Sequence, residues 1–281
     1  MTVSVIIPAY NRADTIVDCI NSVLRQTYSG IEVIVVDDAS TDNTIEKAQS
    51  IKDSRVHIFT YEQNRGACYA RNYGIDKSNG EFLAFQDSDD IWHPDKIQKE
   101  MDYLIRTDAD LVFCGMNRID DTKSIYFPPM PLNCKSSIIQ QLLQENRIST
   151  QTILMRKKVA SVVKFDESFK RFQDWDFSLQ VALHGFKIEY LPEALVDSFI
   201  QENSISKTAK TAQAYEHLFS KYAWLYDKNS VAKAHILMCQ ARGYRGISKR
   251  KTTNLLIQSF RLQPSAKTFV KILLSLVSLW K

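Results

Sequence analysis

From residue 3 to about residue 115 the chain alternates short apolar runs rich in β-branched residues with longer amphipathic stretches, and few folds accept that pattern. Strands are expected at 3–8, 31–37, 55–60, 81–86 and 110–114, with helices at 13–26, 41–51, 66–78 and 95–106 between them. Strand–helix–strand alternation makes parallel pairing the rule. The expected class is therefore α/β, a mostly parallel sheet covered by helices. Such sheets bind ligands in the crevice outside the carboxyl ends of their strands, so chemistry is to be sought in the residues that end them.

The middle of the chain is less regular. Residues 127–131 read as a loop, 136–144 as a helix, 151–155 as extended, 173–184 as a helix and 187–199 as extended again. From 207 onward the pattern is helical, with Pro264 the only proline. One large domain over 1–206 and a helical extension over 207–281 are expected.

The net charge of +4 conceals a division: residues 1–206 carry 22 basic against 30 acidic side chains, and residues 207–281 carry 14 against 2. An acidic body suits a cation and its ligands, and a basic extension suits an anionic surface. Cys19, Cys68, Cys114, Cys134 and Cys239 are scattered without a C-x-x-C pair, which argues for free thiols and against zinc or a disulfide framework. The first residues read as a strand rather than as an export signal, so a cytoplasmic location is expected.

Three acidic clusters fall where the sheet would present them. Asp37, Asp38 and Asp42 follow the second strand, where Ser40 or Thr41 is expected to cap the next helix. Asp87, Asp89 and Asp90 follow the run 81–86, where they read as a magnesium or manganese site or as a turn. Asp174 and Asp176 open the helix 173–184, a place where aspartate is common simply as a cap.

Taken in order, these clusters and their neighbours carry a resemblance. The motifs are Val3 to Arg12, Val36 to Asp42, Asn64-Arg65-Gly66-Ala67, Ala70-Arg71-Asn72-Tyr73-Gly74-Ile75, Asp87-Ser88-Asp89-Asp90 with Trp92-His93-Pro94-Asp95, and Asp174-Trp175-Asp176. Over residues 1–206 the sequence resembles the GT-A-type glycosyltransferase family 2. The resemblance implies a nucleotide-binding half over about 1–115 and an acceptor half over about 116–206. It implies an inverting, metal-dependent transferase using Mn²⁺ or Mg²⁺ and a nucleotide-sugar donor, with a UDP-sugar favoured.

It also implies roles. Pro8, Ala9 and Tyr10 contact the nucleoside, with Tyr10 against the base, and Asp38 accepts from the base edge. Arg71 lies near the diphosphate, Asp87 reaches the ribose and the metal, and Asp89 binds the metal. Arg12, Gly66 and Ser88 complete the donor set, and Asp174 is the general base. Two departures stand out: Gln173 where many relatives have glutamate, and Gln201 where many have histidine.

Other classes fit less well. No G-x-G or Walker-type G-K-[ST] occurs, which argues against dinucleotide and P-loop binding. A non-catalytic scaffold would be expected to show a damaged carboxylate set. The aromatics of the basic extension lie at helical spacing and read as packing rather than as a nucleic-acid surface. Residues 267–281 form an amphipathic stretch in which Phe269, Ile272, Leu273, Leu276 and Trp280 share one face, with Lys267, Lys271, Ser275 and Ser278 on another. It is too short to span a bilayer. It is expected either to pack on its own domain or to lie in the surface of an anionic membrane, where a peripheral enzyme would meet a glycan or lipid-linked glycan acceptor.

Overall fold

The β-branched runs become buried strands and the amphipathic stretches become helices over them, as hydrophobic periodicity requires. The structure is a computed structural model describing residues 1–120, 123–127, 137–199 and 210–276. In chain order the first elements are β1 (Val3–Ala9), α1 (Ile16–Leu24), β2 (Ile31–Asp37), α2 (Thr44–Ser50), β3 (Val56–Thr60), α3 (Ala67–Lys77), β4 (Phe82–Phe85), β5 (Asp90–Trp92) and α4 (Lys96–Thr107). Then come β6 (Leu111–Asp120), β7 (Lys123–Phe127), α5 (Ile138–Gln144), β8 (Ile153–Arg156), α6 (Lys157–Ala160), α7 (Gln173–Leu183) and β9 (Ile188–Phe199). Five helices follow: α8 (Lys210–Lys221), α9 (Ala223–Tyr226), α10 (Ser230–Gly243), α11 (Lys249–Leu262) and α12 (Ala266–Leu276).

The described strands form one sheet in the order β3-β2-β1-β4-β8-β6-β9-β5, with β7 on β6. β3, β2, β1 and β4 are parallel, in register from Val3 opposite Ile31 and Phe82. β8 runs antiparallel between β4 and β6, whereas β9 is parallel to β6. The chain steps from β1 to β2 on one side and returns through α3 to β4 on the other. The carboxyl end of β1 is thus the switch point at which such sheets open a crevice.

Every residue of β1 is buried, which a strand covered on both faces demands. On one face Ile16, Ile20 and Val23 of α1 and Ile97, Met101 and Leu104 of α4 pack in the core with Val5, Ile7 and Val35. α3 comes close enough that a Cβ on Gly74 would stand 2.5 Å from the Ile6 side chain, so only glycine fits there. β6 runs on to Asp120, beyond the expected end at 114, because β7 and β9 pair with its second half.

By internal contacts the chain divides into two units. The first comprises Met1–Ile138, Arg147–Ser168 and Gln173–Gln201, and the second Ile139–Asn146, Phe169–Phe172 and Glu202–Lys281. The boundary expected at 206 and Gln201 both lie outside the described residues. In the second unit the side chains of Asn229 and Ser248 cap α10 and α11. Cys19, Cys68, Cys114 and Cys239 are buried and form no disulfide, and Cys134 lies outside the described residues.

Glu32 ties the opposite end of the sheet together. It accepts the Ser4 hydroxyl at 2.5 Å, the Asn79 N–H at 2.6 Å and the Gly80 N–H at 3.1 Å. Burial raises its carboxyl, but these hydrogen bonds outweigh burial and hold it below the usual range. A depressed carboxylate contributes stability above its unfolded pKa, about 4.3 for glutamate, and loses it as pH falls through the folded value. Denaturation midpoints of wild type should therefore drop through that acid window, and Glu32→Gln should lower the midpoint at pH 7 while flattening the drop. A variant whose acid profile superimposes on wild type would remove Glu32 from the account.

Candidate active site

The parallel strands deliver their motifs to one edge. Pro8 and Ala9 end β1, buried opposite Val36 and Asp37, and leave Tyr10 with 43% of its surface exposed. A ring this open beside a strand end is available to a flat ligand. Asn11 and Ala39, just beyond β1 and β2, take positive φ values of 53° and 59°. Left-handed backbone at non-glycine residues costs energy and collects at functional loops.

Hydrogen bonds lace these two loops together. The Asn11 N–H donates to Ser40 Oγ (2.9 Å), the Thr41 N–H to Asn11 Oδ1 (2.9 Å) and the Arg12 N–H to Thr44 Oγ1 (2.7 Å). Asp42 accepts from the Ala13 N–H and from Thr44. The expectation that Ser40 or Thr41 caps α2 is therefore corrected. The helix begins at Thr44 without a side-chain cap, and both residues bond to Asn11 of the β1–α1 loop, because their hydroxyls and amides have donors and acceptors across the crevice.

Asp38 is buried, and both its oxygens are engaged. Oδ1 accepts the Tyr61 hydroxyl (2.8 Å) and the Arg65 N–H (2.7 Å), and Oδ2 accepts the Gly66 N–H (2.8 Å). Gly66 has φ 90°, a conformation that suits glycine, and it leads directly into α3. A carboxylate offers about four acceptor positions, so these three donors aim the group and leave room for one more partner. Sequence reasoning missed Tyr61. Burial, then its bond to Asp38, raises its phenol well above the ordinary range, so it remains a donor. The available signal was an aromatic placed directly after β3.

The second cluster is a turn whose carboxylates differ in environment. Thr15 Oγ1 donates to the Ser88 carbonyl (2.8 Å), and the Asp90 N–H donates to the Asp87 carbonyl (3.1 Å). Asp90 is buried in β5, where the side chains of Ser198 and Gln151 bond to it. Burial, then the charges of Asp87 and Asp89, push its carboxyl well above the usual range. Asp87 and Asp89 are partly exposed. Burial and then Asp87 also raise Asp89, against Arg12, whose Nη2 lies 3.4 Å from Asp89 Oδ2.

Carboxylates this close resist ionising together unless a positive group joins them. Among the described residues no three His, Cys, Asp or Glu side chains form a metal cage. Asp87 and Asp89 fit the open kind of hard-cation site, in which one or two carboxylates serve and phosphate oxygens supply further ligands.

Arg71 on α3 joins this turn to the third cluster. It is 5% exposed; Nη2 donates to Asp87 Oδ1 and Nη1 to Gln173 Oε1, both at 2.8 Å. The Phe165 ring lies 5.4 Å from its guanidinium carbon. Gln173 opens α7, and Phe172 before it has φ 61°. Asp174 is half-buried, and its Oδ1 accepts the Trp175 N–H (2.8 Å), as a carboxylate at a helix start should. One guanidinium thus joins Asp87, expected on the donor side, to Gln173, the neighbour of the expected base.

Residues 4–163, more than half of the chain, match the sequence model of Glycosyl transferase family 2. The chain belongs to glycosyltransferase family 2. Relatives in this family include a Bacillus subtilis glycosyltransferase, TuaG, named for teichuronic acid biosynthesis and 32% identical over 247 residues that cover 82% of this chain and 96% of that one. An Escherichia coli relative, UDP-Glc:alpha-D-GlcNAc-diphosphoundecaprenol beta-1,3-glucosyltransferase WfgD, is 40% identical over 123 residues, 44% of this chain and 48% of that one.

The family 2 chain also shares its GT-A fold with solved structures. Staphylococcus aureus TarS 1–349 in complex with UDP-GlcNAc superposes with a TM-score of 0.66 at 19% identity, covering 100% of this chain and 88% of that one. The mannosyltransferase PcManGT from Pyrobaculum calidifontis, in complex with GDP-Man and Mn²⁺, gives 0.64 at 16% identity, covering 98% and 79%.

Proposed function

We propose that this glycosyltransferase moves a sugar from a UDP-sugar onto a hydroxyl of a surface glycan or lipid-linked glycan, with inversion at the anomeric carbon. The observation that carries the reading is Arg71, bonded at once to Asp87 and to Gln173 beside Asp174. Tyr10 stacks on the base, and the Asp38 carboxylate, aimed by Tyr61, Arg65 and Gly66, accepts from the base edge. Pro8, Ala9 and Gly66 shape the nucleoside pocket, while Arg12 and Ser88 border the diphosphate beside Asp89. Asp174 takes the proton of the acceptor hydroxyl as it attacks from the face opposite the leaving nucleotide. Asp89 and Asp87 would hold Mn²⁺ or Mg²⁺, which supplies positive charge for the departing diphosphate.

Support for a surface or lipid-linked acceptor comes from TuaG, named for teichuronic acid biosynthesis, and from WfgD, whose name gives a diphosphoundecaprenol-linked acceptor. An acceptor of that kind would be met by an enzyme lying peripherally at the inner face of the cell membrane, which is the location we infer for this one. WfgD is also named for UDP-Glc, and TarS was crystallised with UDP-GlcNAc.

Calorimetric titration of UDP into the protein tests the donor site. Affinity should fall by tenfold or more, about 1.4 kcal/mol, when EDTA replaces Mn²⁺ or Mg²⁺, and Asp89→Ala should bind as weakly with metal as wild type does without it. Equal UDP affinity with metal and with EDTA, and in the variant, would remove Asp89 from the donor site. A screen of UDP-sugars under the metal condition then identifies the sugar.

A further inference from the structure

α12 turns a mixed side inward, Ile272 into a core with Ala241 and Leu256 and two hydroxyls beside it. The residues it buries are Thr268, Ile272 and Ser275, and Ser275 shares a hydrogen bond with Thr253 of α11 at 3.0 Å. Phe269, Val270, Leu273 and Leu276 are each about half exposed, at 49%, 51%, 48% and 50%. At 100° per residue these four fall on one side of the helix, with Lys267 along its flank and Lys271 turned back to donate to Met238 Sδ of α10 at 3.5 Å. This corrects the facial division expected from the sequence. Ile272 lies with Ser275 on the inner side, where α11 offers Thr253 as a partner for a hydroxyl, and Phe269, Val270, Leu273 and Leu276 form an outward stripe; Ser278 and Trp280 lie outside the described residues.

An outward stripe of four large apolar side chains on a basic helix is costly in water and needs a cover. Charge selects the cover. Residues 207–281 carry 14 basic and 2 acidic side chains, so a second copy of this surface would meet like charge. An anionic lipid surface offers both the opposite charge and a hydrocarbon boundary into which half-exposed side chains can sink. No described helix is long and apolar enough to cross a membrane.

We propose that the Phe269, Val270, Leu273 and Leu276 face of α12 docks in the plane of a bilayer containing anionic lipid, with Lys267 at headgroup level. The proposal deepens the reading of a membrane-borne acceptor, but vesicle binding is measured without transfer. Absence of transfer with binding intact would sink only the enzymatic reading, and the reverse would sink only this one.

Full-length protein is sedimented with phosphatidylcholine vesicles, with and without phosphatidylglycerol. Binding to the anionic vesicles should exceed binding to neutral ones by about tenfold or more at low salt and weaken as salt is raised. Val270→Glu with Leu273→Glu should reduce anionic binding by about tenfold or more, with the circular dichroism melt unchanged because both side chains point outward. Val270→Trp, which adds an interfacial aromatic at the same position, should strengthen it. The proposal is overturned if wild type binds neutral and anionic vesicles alike or neither. It is equally overturned if the double variant binds as wild type does, or if its only effect is to split an oligomer into monomers.

Discussion

Asp174→Asn should lower kcat by roughly 10² or more while leaving UDP affinity within a few-fold of wild type. The substitution is mild in every respect but one. Asparagine keeps the size of the side chain, and its carbonyl oxygen can still accept the Trp175 N–H that Asp174 Oδ1 accepts at 2.8 Å. Gln173 next to it can still receive Arg71, so the strut to Asp87 stays in place. What asparagine cannot do is take a proton from an attacking hydroxyl. A loss confined to kcat therefore separates a base from a cap, and steady-state kinetics paired with UDP calorimetry provide the separation. Turnover within a few-fold of wild type would mean that Asp174 only completes the start of α7.

Glu100→Ala should destabilise the first unit by about 3–5 kcal/mol, and the paired replacement Lys96→Met with Glu100→Met should recover most of that loss. Lys96 and Glu100 are both fully buried on the inner face of α4, with Lys96 Nζ 2.6 Å from Glu100 Oε2 and 4.1 Å from the centre of the Trp92 ring. Burial raises the Glu100 carboxyl, against the pull of Lys96 and the Cys114 thiol. Removing the carboxylate leaves an ammonium without its counter-charge in a low-dielectric interior, which is the expensive outcome. Replacing both partners with side chains of similar volume removes the charge and fills the space. Urea denaturation midpoints report both effects. A single variant no less stable than the double one would show that Lys96 reaches water when its partner is gone. The pair bears on the site as well, because Trp92 closes β5, the short strand that Asp90 opens.

Much of this was written in the order of residues. The five expected parallel-unit strands and their helices form within a few residues of where hydrophobic periodicity put them, apart from the extension of β6 to Asp120. The acidic clusters fall at the ends of β2 and β4 and at the start of α7, where strand ends and helix starts must present them. β5 escaped notice because three residues, Asp90 to Trp92, carry no periodicity of their own and are a strand only through pairing with β9.

Motif order, periodicity and residue type were enough to specify the α/β class, the family and the edge of the sheet to which the candidate site residues are delivered, since all three depend on local pattern along the chain. Partners distant in sequence were decided only by tertiary structure. Asp38 depends on Tyr61, Arg65 and Gly66, more than twenty residues away, to aim its carboxylate. Lys96 and Glu100 have the i,i+4 spacing of a solvent-exposed helix pair, and only the sheet above α4 makes them interior. α12 has an amphipathic sequence whose inner side was settled by what packs against it: Ile272 enters a core with Ala241 and Leu256, and Ser275 meets Thr253 of α11. Pattern states which side chains a segment can bury; which of them it does bury depends on the donors, acceptors and volumes that the rest of the fold brings against it.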